Sequence, residues 1–167
     1  MNLETERLKL IPLSLSQFSL LLQGMDKIET ELKLASSNEK LDENTQVAME
    51  GLYEQALKYS NDYLWYTNWQ IILKSENKSI GSACFMKKSD ENNTVEIGYG
   101  INSEYRNKGY ATEAIQAMCN WALNQPLVKT VIAETDIENY SSHRVLQKCG
   151  MIKCNETTTS IFWTTCV

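Results

Sequence analysis

The stretch that decides the fold begins Val95-Glu96-Ile97-Gly98-Tyr99-Gly100-Ile101 and continues through Arg106-Asn107-Lys108-Gly109-Tyr110-Ala111-Thr112. It closes with Glu113-Ala114-Ile115-Gln116-Ala117-Met118-Cys119-Asn120-Trp121-Ala122. The first part reads as a strand. The last sets Ala111, Ile115, Met118 and Ala122 on one stripe, a helix that ends before Pro126. Between them lies a basic turn of small residues. A helix start offers unpaired N–H groups and the positive end of a dipole, so this turn is an anion site that a diphosphate fits. On its own the signal is weak. The turn is neither G-x-x-x-x-G-K-[ST] nor G-x-G-x-x-G. Gly109 shaping a tight corner, with Arg106 and Lys108 in water, would also account for it.

Upstream, Thr5–Leu13 reads as a first strand, and Ser14 and Ser16 as caps for a short helix carrying Phe18, Leu21, Leu22 and Met25. Residues 26–44 have thin periodicity and read as a mobile or weakly helical connection. A helix over Thr45–Tyr59, a strand over Tyr63–Leu73 and its return over Ser79–Met86 follow. Ser89–Asn93 is a turn into the Val95–Ile101 strand. Downstream come a strand over Val128–Thr135, a helix over Ser141–Cys149 stopped by Gly150, and a hairpin of Met151–Asn155 with Ser160–Cys166. The order β-α-α-β-β-β-α-β-α-β-β describes one mixed α/β (α+β) domain spanning 1–167.

With 167 residues, 43% hydrophobic and 22% charged, the chain has the makeup of a soluble globular domain with its own core. A net charge of −5 weighs against a nucleic-acid partner. No apolar run approaches the roughly 20 residues of a membrane helix, and the charged N-terminus has no signal-peptide core, so a cytoplasmic protein without a membrane partner is expected. The five cysteines are odd in number and form no C-x-x-C pair, which reads as reduced, mostly buried thiols. His143 is the only histidine, which excludes a histidine-built zinc site. No metal is expected.

A second segment sharpens the first. After the next strand comes Asn139-Tyr140-Ser141-Ser142-His143-Arg144-Val145-Leu146-Gln147-Lys148-Cys149-Gly150-Met151. Arg106-x-x-Gly109-x-Ala111 resembles the Q/R-x-x-G-x-G/A signature of the GNAT acetyltransferases, and Asn139-x-x-Ser142 with Lys148-x-Gly150-Met151 is similar to their N-x-x-A/S…K-x-G-F segment. Glu4-Thr5-Glu6-Arg7-Leu8 and Gly109–Ala114 lean toward the branch of ribosomal-protein N-terminal acetyltransferases (RimJ/RimL-like). The resemblance covers essentially the whole chain. It implies a mostly antiparallel sheet of about seven strands, splayed between the fourth and fifth and flanked by about four helices. It further implies acetyl-CoA as cosubstrate in that gap, its diphosphate held by Arg106, Asn107, Lys108, Gly109, Tyr110, Ala111 and Thr112. The backbone of Tyr99, Gly100 and Ile101 would pair with the pantetheine arm. Asn139 would bind a cofactor amide, with Ser142 and Lys148 along the other side. Each of these three also has a plain reading, Asn139 and Ser142 in a helix cap and Lys148 as a solvated surface charge.

Acetyl transfer to an amine needs the amine deprotonated, hence a base. Glu96 is the candidate: it opposes Ile97, Tyr99 and Ile101 in pleat parity, and burial would raise its pKa. An ion-paired edge carboxylate is the plain alternative. The family's usual tyrosine, four residues after the A/S position, is Leu146 here. Ser142, Tyr140 or a water is left for the leaving thiolate, with Ser142 the catalytic candidate among them. The resemblance thus implies direct transfer to a primary amine, a protein N-terminus or a small molecule, by a monomer or homodimer. The alternatives are a catalytically weak GNAT-like CoA-binding sensor or interaction module and an unrelated phosphate-ligand binder. Gln23–Tyr66 should wall the acceptor pocket. Its Glu29, Glu31, Asp42, Glu43, Tyr63 and Trp65, together with nearby Trp69, suit a cationic acceptor, or equally a solvated helical face over core aromatics.

Overall fold

Alternating burial of Leu8, Leu10 and Pro12 makes β2 (Leu8–Pro12), with the short β1 (Leu3–Glu4) paired antiparallel to it. This is a computed structural model, and it describes residues 1–86, 88–89 and 91–165. Ser14 and Gln17 close a capping box at the start of α1 (Leu15–Gln23), which stops at Gly24. There α2 (Met25–Glu31) begins directly. The connection expected over 26–44 therefore contains a helix. Met25 and Ile28, one turn apart, are buried in the core, and that burial supplies the helicity that local periodicity did not signal. Asp42 caps α3 (Glu43–Lys58).

The strand expected over Tyr63–Leu73 begins only at Asn68, as β3 (Asn68–Leu73), because a 3₁₀ turn over Ser60–Trp65 precedes it. That turn aims Trp65 inward, where its ring lies 5.1 Å from Phe85 and 4.9 Å from Trp121. Aromatic content signals burial, which a buried 3₁₀ turn satisfies as well as a strand does. The remaining elements are β4 (Lys78–Phe85), β5 (Thr94–Ile101), α4 (Tyr110–Leu123), β6 (Thr130–Asp136), α5 (Tyr140–Lys148), β7 (Met151–Glu156) and β8 (Ser160–Thr165). Asp90 of the expected turn and Cys166 of the expected last strand lie outside the described residues.

The eight strands form one sheet in the order β1-β2-β3-β4-β5-β6-β8-β7, antiparallel except for the parallel β5–β6 pair. Beside the expected seven strands and four helices, β1 and α2 are the additions. The expected splay falls between the same two strands, now β5 and β6. They pair only at Thr94↔Thr130, Val95↔Val131 and Glu96↔Ile132. Beyond that, β6 runs against β8, while Ile97–Ile101 pair with β4. A wedge opens between the strands.

Pleat parity sorts the sheet into two faces. Trp69, Ala83, Phe85, Ile97, Tyr99 and Ile101 share the face under α4, where Trp121 packs 5.1 Å from Trp69. Asn68, Cys84, Glu96, Gly98 and Gly100 share the other, where Asn68 Nδ2 donates to Met49 Sδ of α3. The β4–β5 ladder runs from Gly81↔Ile101 to Phe85↔Ile97 without a register shift, which fixes Glu96 on the α3 side. Among the described residues, no helix is long and apolar enough to cross a membrane.

Candidate active site

Where β5 ends, the chain turns through left-handed backbone at Asn107 (φ 60°) and Gly109 (φ 83°) before α4 starts. Gly109 is the N-cap residue and provides no side-chain cap, so the first amides of α4 look outward without one. Alternating right- and left-handed residues beside a helix start form a concave nest of N–H groups. A Cβ at Gly109 would stand 3.2 Å from Arg7 Nη2, besides demanding φ +83° of an L residue.

Arg7 braces the turn from behind. Its Nη1 donates to the Lys108 carbonyl at 3.0 Å, and its guanidinium lies 4.5 Å from the Tyr110 ring centre. Its Nε donates to Glu113 Oε2 at 2.7 Å and its backbone N–H to Oε1 at 2.9 Å, while Thr5 donates to the same Oε1 at 2.6 Å. Burial acts to raise the Glu113 pKa, but the hydrogen bonds from Thr5 and Arg7 prevail and hold it below the usual 4.5. The Thr5–Arg7 segment is thereby locked to the first turn of α4.

In front of the turn lies a cavity of about 370 Å³. Of the predicted residues, Tyr99, Gly100, Ile101, Arg106, Asn107, Gly109, Tyr110, Ala111, Thr112, Asn139, Ser142 and Lys148 line it. Lys108 does not line it; its ammonium sits 5.5 Å from the Tyr105 ring centre. Glu96 does not line it either, being on the opposite face of the sheet. Tyr105, Ser141, Arg144 and Val145 complete the lining and were not singled out from the sequence. A signal was present: Ser141, Arg144, Val145 and Lys148 follow i, i+3, i+4, i+7, one face of α5.

Asn139 does cap α5, its Oδ1 accepting from the Ser142 N–H at 3.2 Å, and it lines the cavity as well. Arg106 is not simply in water, since its Nε donates to the Ile101 carbonyl at 3.0 Å. Leu146 is fully buried in the core and Tyr140 is 67% exposed, its ring edge-on to His143. His143 itself is buried, with Nε2 3.0 Å from the Asp136 carbonyl oxygen. The Tyr99 hydroxyl is buried and has no hydrogen-bond partner among the described residues. Burial pushes it up to about 12, with Ser142 beside it pulling the other way. Burial likewise pushes Cys84 and Cys119 up to about 12 and Cys149 to about 11, so these thiols stay protonated and are poor nucleophiles.

The α3 side is different. Trp65 and Trp69 are buried in the cluster with Phe85 and Trp121, which settles them as core rather than pocket wall. Glu29 is buried, accepting from the Ser37 N–H at 3.0 Å and from the Ser37 hydroxyl. Asp42 caps α3. Beneath them Gln70 donates to Asn68 and accepts from Ser79, at 2.7 and 2.6 Å. Beyond Glu96 on this face β5 carries Gly98 and Gly100; the Met86 side chain covers Gly98, 2.6 Å from where a Cβ would stand, whereas a Cβ at Gly100 would touch nothing within 4 Å.

Comparison with known proteins agrees with this geometry. The chain is 33% identical over 100 residues to the uncharacterized N-acetyltransferase YjdG of Bacillus subtilis, and that match spans 60% of each chain. The chain thus spans less than two thirds of that relative's length. The fold matches ribosomal-protein-S5-alanine acetyltransferase from Vibrio fischeri, with TM-score 0.72 and 17% identity over 99% of this chain and 96% of that one. It also matches RimL, a ribosomal L7/L12 alpha-N-protein acetyltransferase solved with coenzyme A, with TM-score 0.67 and 13% identity over 98% and 97%. The model of the acetyltransferase (GNAT) domain matches residues 7–152. The wedge, the nest and the cavity are therefore features of a chain that belongs to the GNAT acetyltransferase family.

Proposed function

We propose that the chain, acting as one domain over 1–167, moves an acetyl group from acetyl-CoA to a primary amine by direct transfer in a ternary complex. The observation that carries this reading is the single cavity that joins the uncapped start of α4 to the wedge between β5 and β6. A diphosphate suits the Asn107–Thr112 amides, which the left-handed turn at Asn107 and Gly109 gathers beside the uncapped start of α4. Lys148 and Arg144, one turn apart on α5, add positive charge opposite. Ile97–Ile101, unpaired with β6, offers strand hydrogen bonds to a pantetheine arm, and Asn139 lies alongside. An orphaned buried hydroxyl at Tyr99 is what a site completed by its ligand would contain.

The acceptor amine would come from the α3 side, over the open Gly100, with Glu96 as the base that takes its proton. Ser142 lines the thioester end and is the candidate group near the leaving sulfur. RimL and the S5-alanine enzyme are named for protein N-termini or ribosomal proteins, so a peptide N-terminus leads, with a small-molecule amine beside it. The four described cysteines are free, which suits the cytoplasm. Leu146, buried where a tyrosine is usual, supports a second reading as a CoA-binding module without turnover. Titration with acetyl-CoA, followed by an amine panel read as released CoA thiol, separates these. Binding with turnover supports the enzyme, binding alone supports the module, and neither defeats both.

A further inference from the structure

A buried hydroxyl without a partner costs stability, and folded proteins rarely keep one without use. Tyr99 has the one such side-chain atom among the described residues. It stands on β5 just past the last rung to β6, Glu96↔Ile132, so it sits where the wedge begins. Its side chain takes the α4 face and lines the cavity, with Ser142, Cys119 and Cys149 around it. Ser142 is the neighbouring hydroxyl, and the Tyr99 hydroxyl makes no hydrogen bond within 3.5 Å among the described residues. The diphosphate turn lies at the other end of the same lining, so a ligand anchored there and laid along Ile101 and Gly100 brings its reactive end to Tyr99.

We infer that the Tyr99 hydroxyl is a catalytic hydrogen-bond donor to the sulfur of the bound acetyl thioester, holding the charge that gathers there as the C–S bond breaks. This rests on the acetyl-CoA reading above. The amine nitrogen forms the new C–N bond, the C–S electron pair goes to sulfur, and the amine proton goes to the base. Tyr99 keeps its own proton. Burial holds the phenol well above a thiol's range, so it stays neutral while it donates. A preorganised neutral donor aimed at developing charge works as an oxyanion hole does.

Tyr99→Phe removes only the hydroxyl. Three readouts follow: the melting temperature of the free protein, the ultraviolet titration of bound CoA thiol, and the pH–rate profile. The variant should melt no lower than the wild type, because an unsatisfied group has been removed. Bound CoA thiol should ionise roughly one pH unit higher than in the wild type, a tenfold loss of thiolate stabilisation. The kcat should fall roughly 10- to 100-fold with KM for acetyl-CoA little changed and both pH limbs kept. An unchanged titration in Tyr99→Phe, or the shift appearing in Ser142→Ala instead, overturns the inference. Loss of the alkaline limb overturns it too, since Tyr99 would then give up its proton. A wild type that binds no CoA defeats the parent reading instead, a separate outcome.

Discussion

The two faces of β5 are built by different means. On the α4 face, the Asn107–Thr112 turn, α5 and Tyr99 converge on one cavity, and much of what they offer is backbone N–H. On the α3 face, Glu96 stands beside two glycines, and the surrounding acids and aromatics are occupied with capping or core packing. The difference teaches where specificity resides. A donor shared by a family can be held by backbone geometry that a few small residues dictate. An acceptor has to be read by side chains and by the shape of loops.

Four perturbations test that division, beginning with the largest effect. Gly109→Glu forces an L residue into left-handed backbone and crowds Arg7 behind the turn, which distorts the nest. Calorimetry should show no acetyl-CoA binding, and retained binding would place the diphosphate elsewhere. Glu96→Gln should lower kcat by roughly 10²- to 10⁴-fold and remove the acid limb of the pH–rate profile, while acetyl-CoA affinity holds. If affinity fell instead, the two faces would not be separable.

Next comes the brace behind the turn. Glu113→Gln breaks the ion pair with Arg7 and should weaken acetyl-CoA binding roughly 3- to 10-fold, the value of about one hydrogen bond. It also carries a pH signature. The folded pKa of Glu113 is depressed, so its stabilisation is present above the unfolded value and is lost as pH falls through the folded one. Melting curves of the wild type and Glu113→Gln should differ most near neutrality and converge below pH 4.5. A gap that stays constant with pH would remove the brace from the account. Smallest is Ser14→Ala, which opens the α1 capping box on the acceptor half. It should cost about 1 kcal/mol, seen as about 2–4 °C in Tm, and leave acetyl-CoA affinity untouched.

The cavity and the turn beside it were legible in the sequence for a physical reason. Gly109, Ala111 and Asn139 sit where backbone conformation and helix ends constrain residue type, so local pattern reports them. The orphaned state of Tyr99 was not legible, because it follows from strand parity, the β5–β6 divergence and the packing of α5 together. Arg7 and Glu113 meet across 106 positions of sequence, which no local pattern encodes. On the α3 side, local pattern was overridden by tertiary packing at two places. The 3₁₀ turn sends Trp65 to the core where a strand was expected, and tertiary burial of Met25 and Ile28 makes α2 a defined helix where a mobile or weakly helical connection was expected.

The central claim is that backbone amides at the start of α4 and along the opened end of β5 hold acetyl-CoA. Amide hydrogen exchange with and without acetyl-CoA tests it directly. Protection should rise at residues 107–112 and 99–101 and change little across residues 25–58. Protection confined to 25–58, or an unaltered exchange pattern at saturating acetyl-CoA, would contradict it.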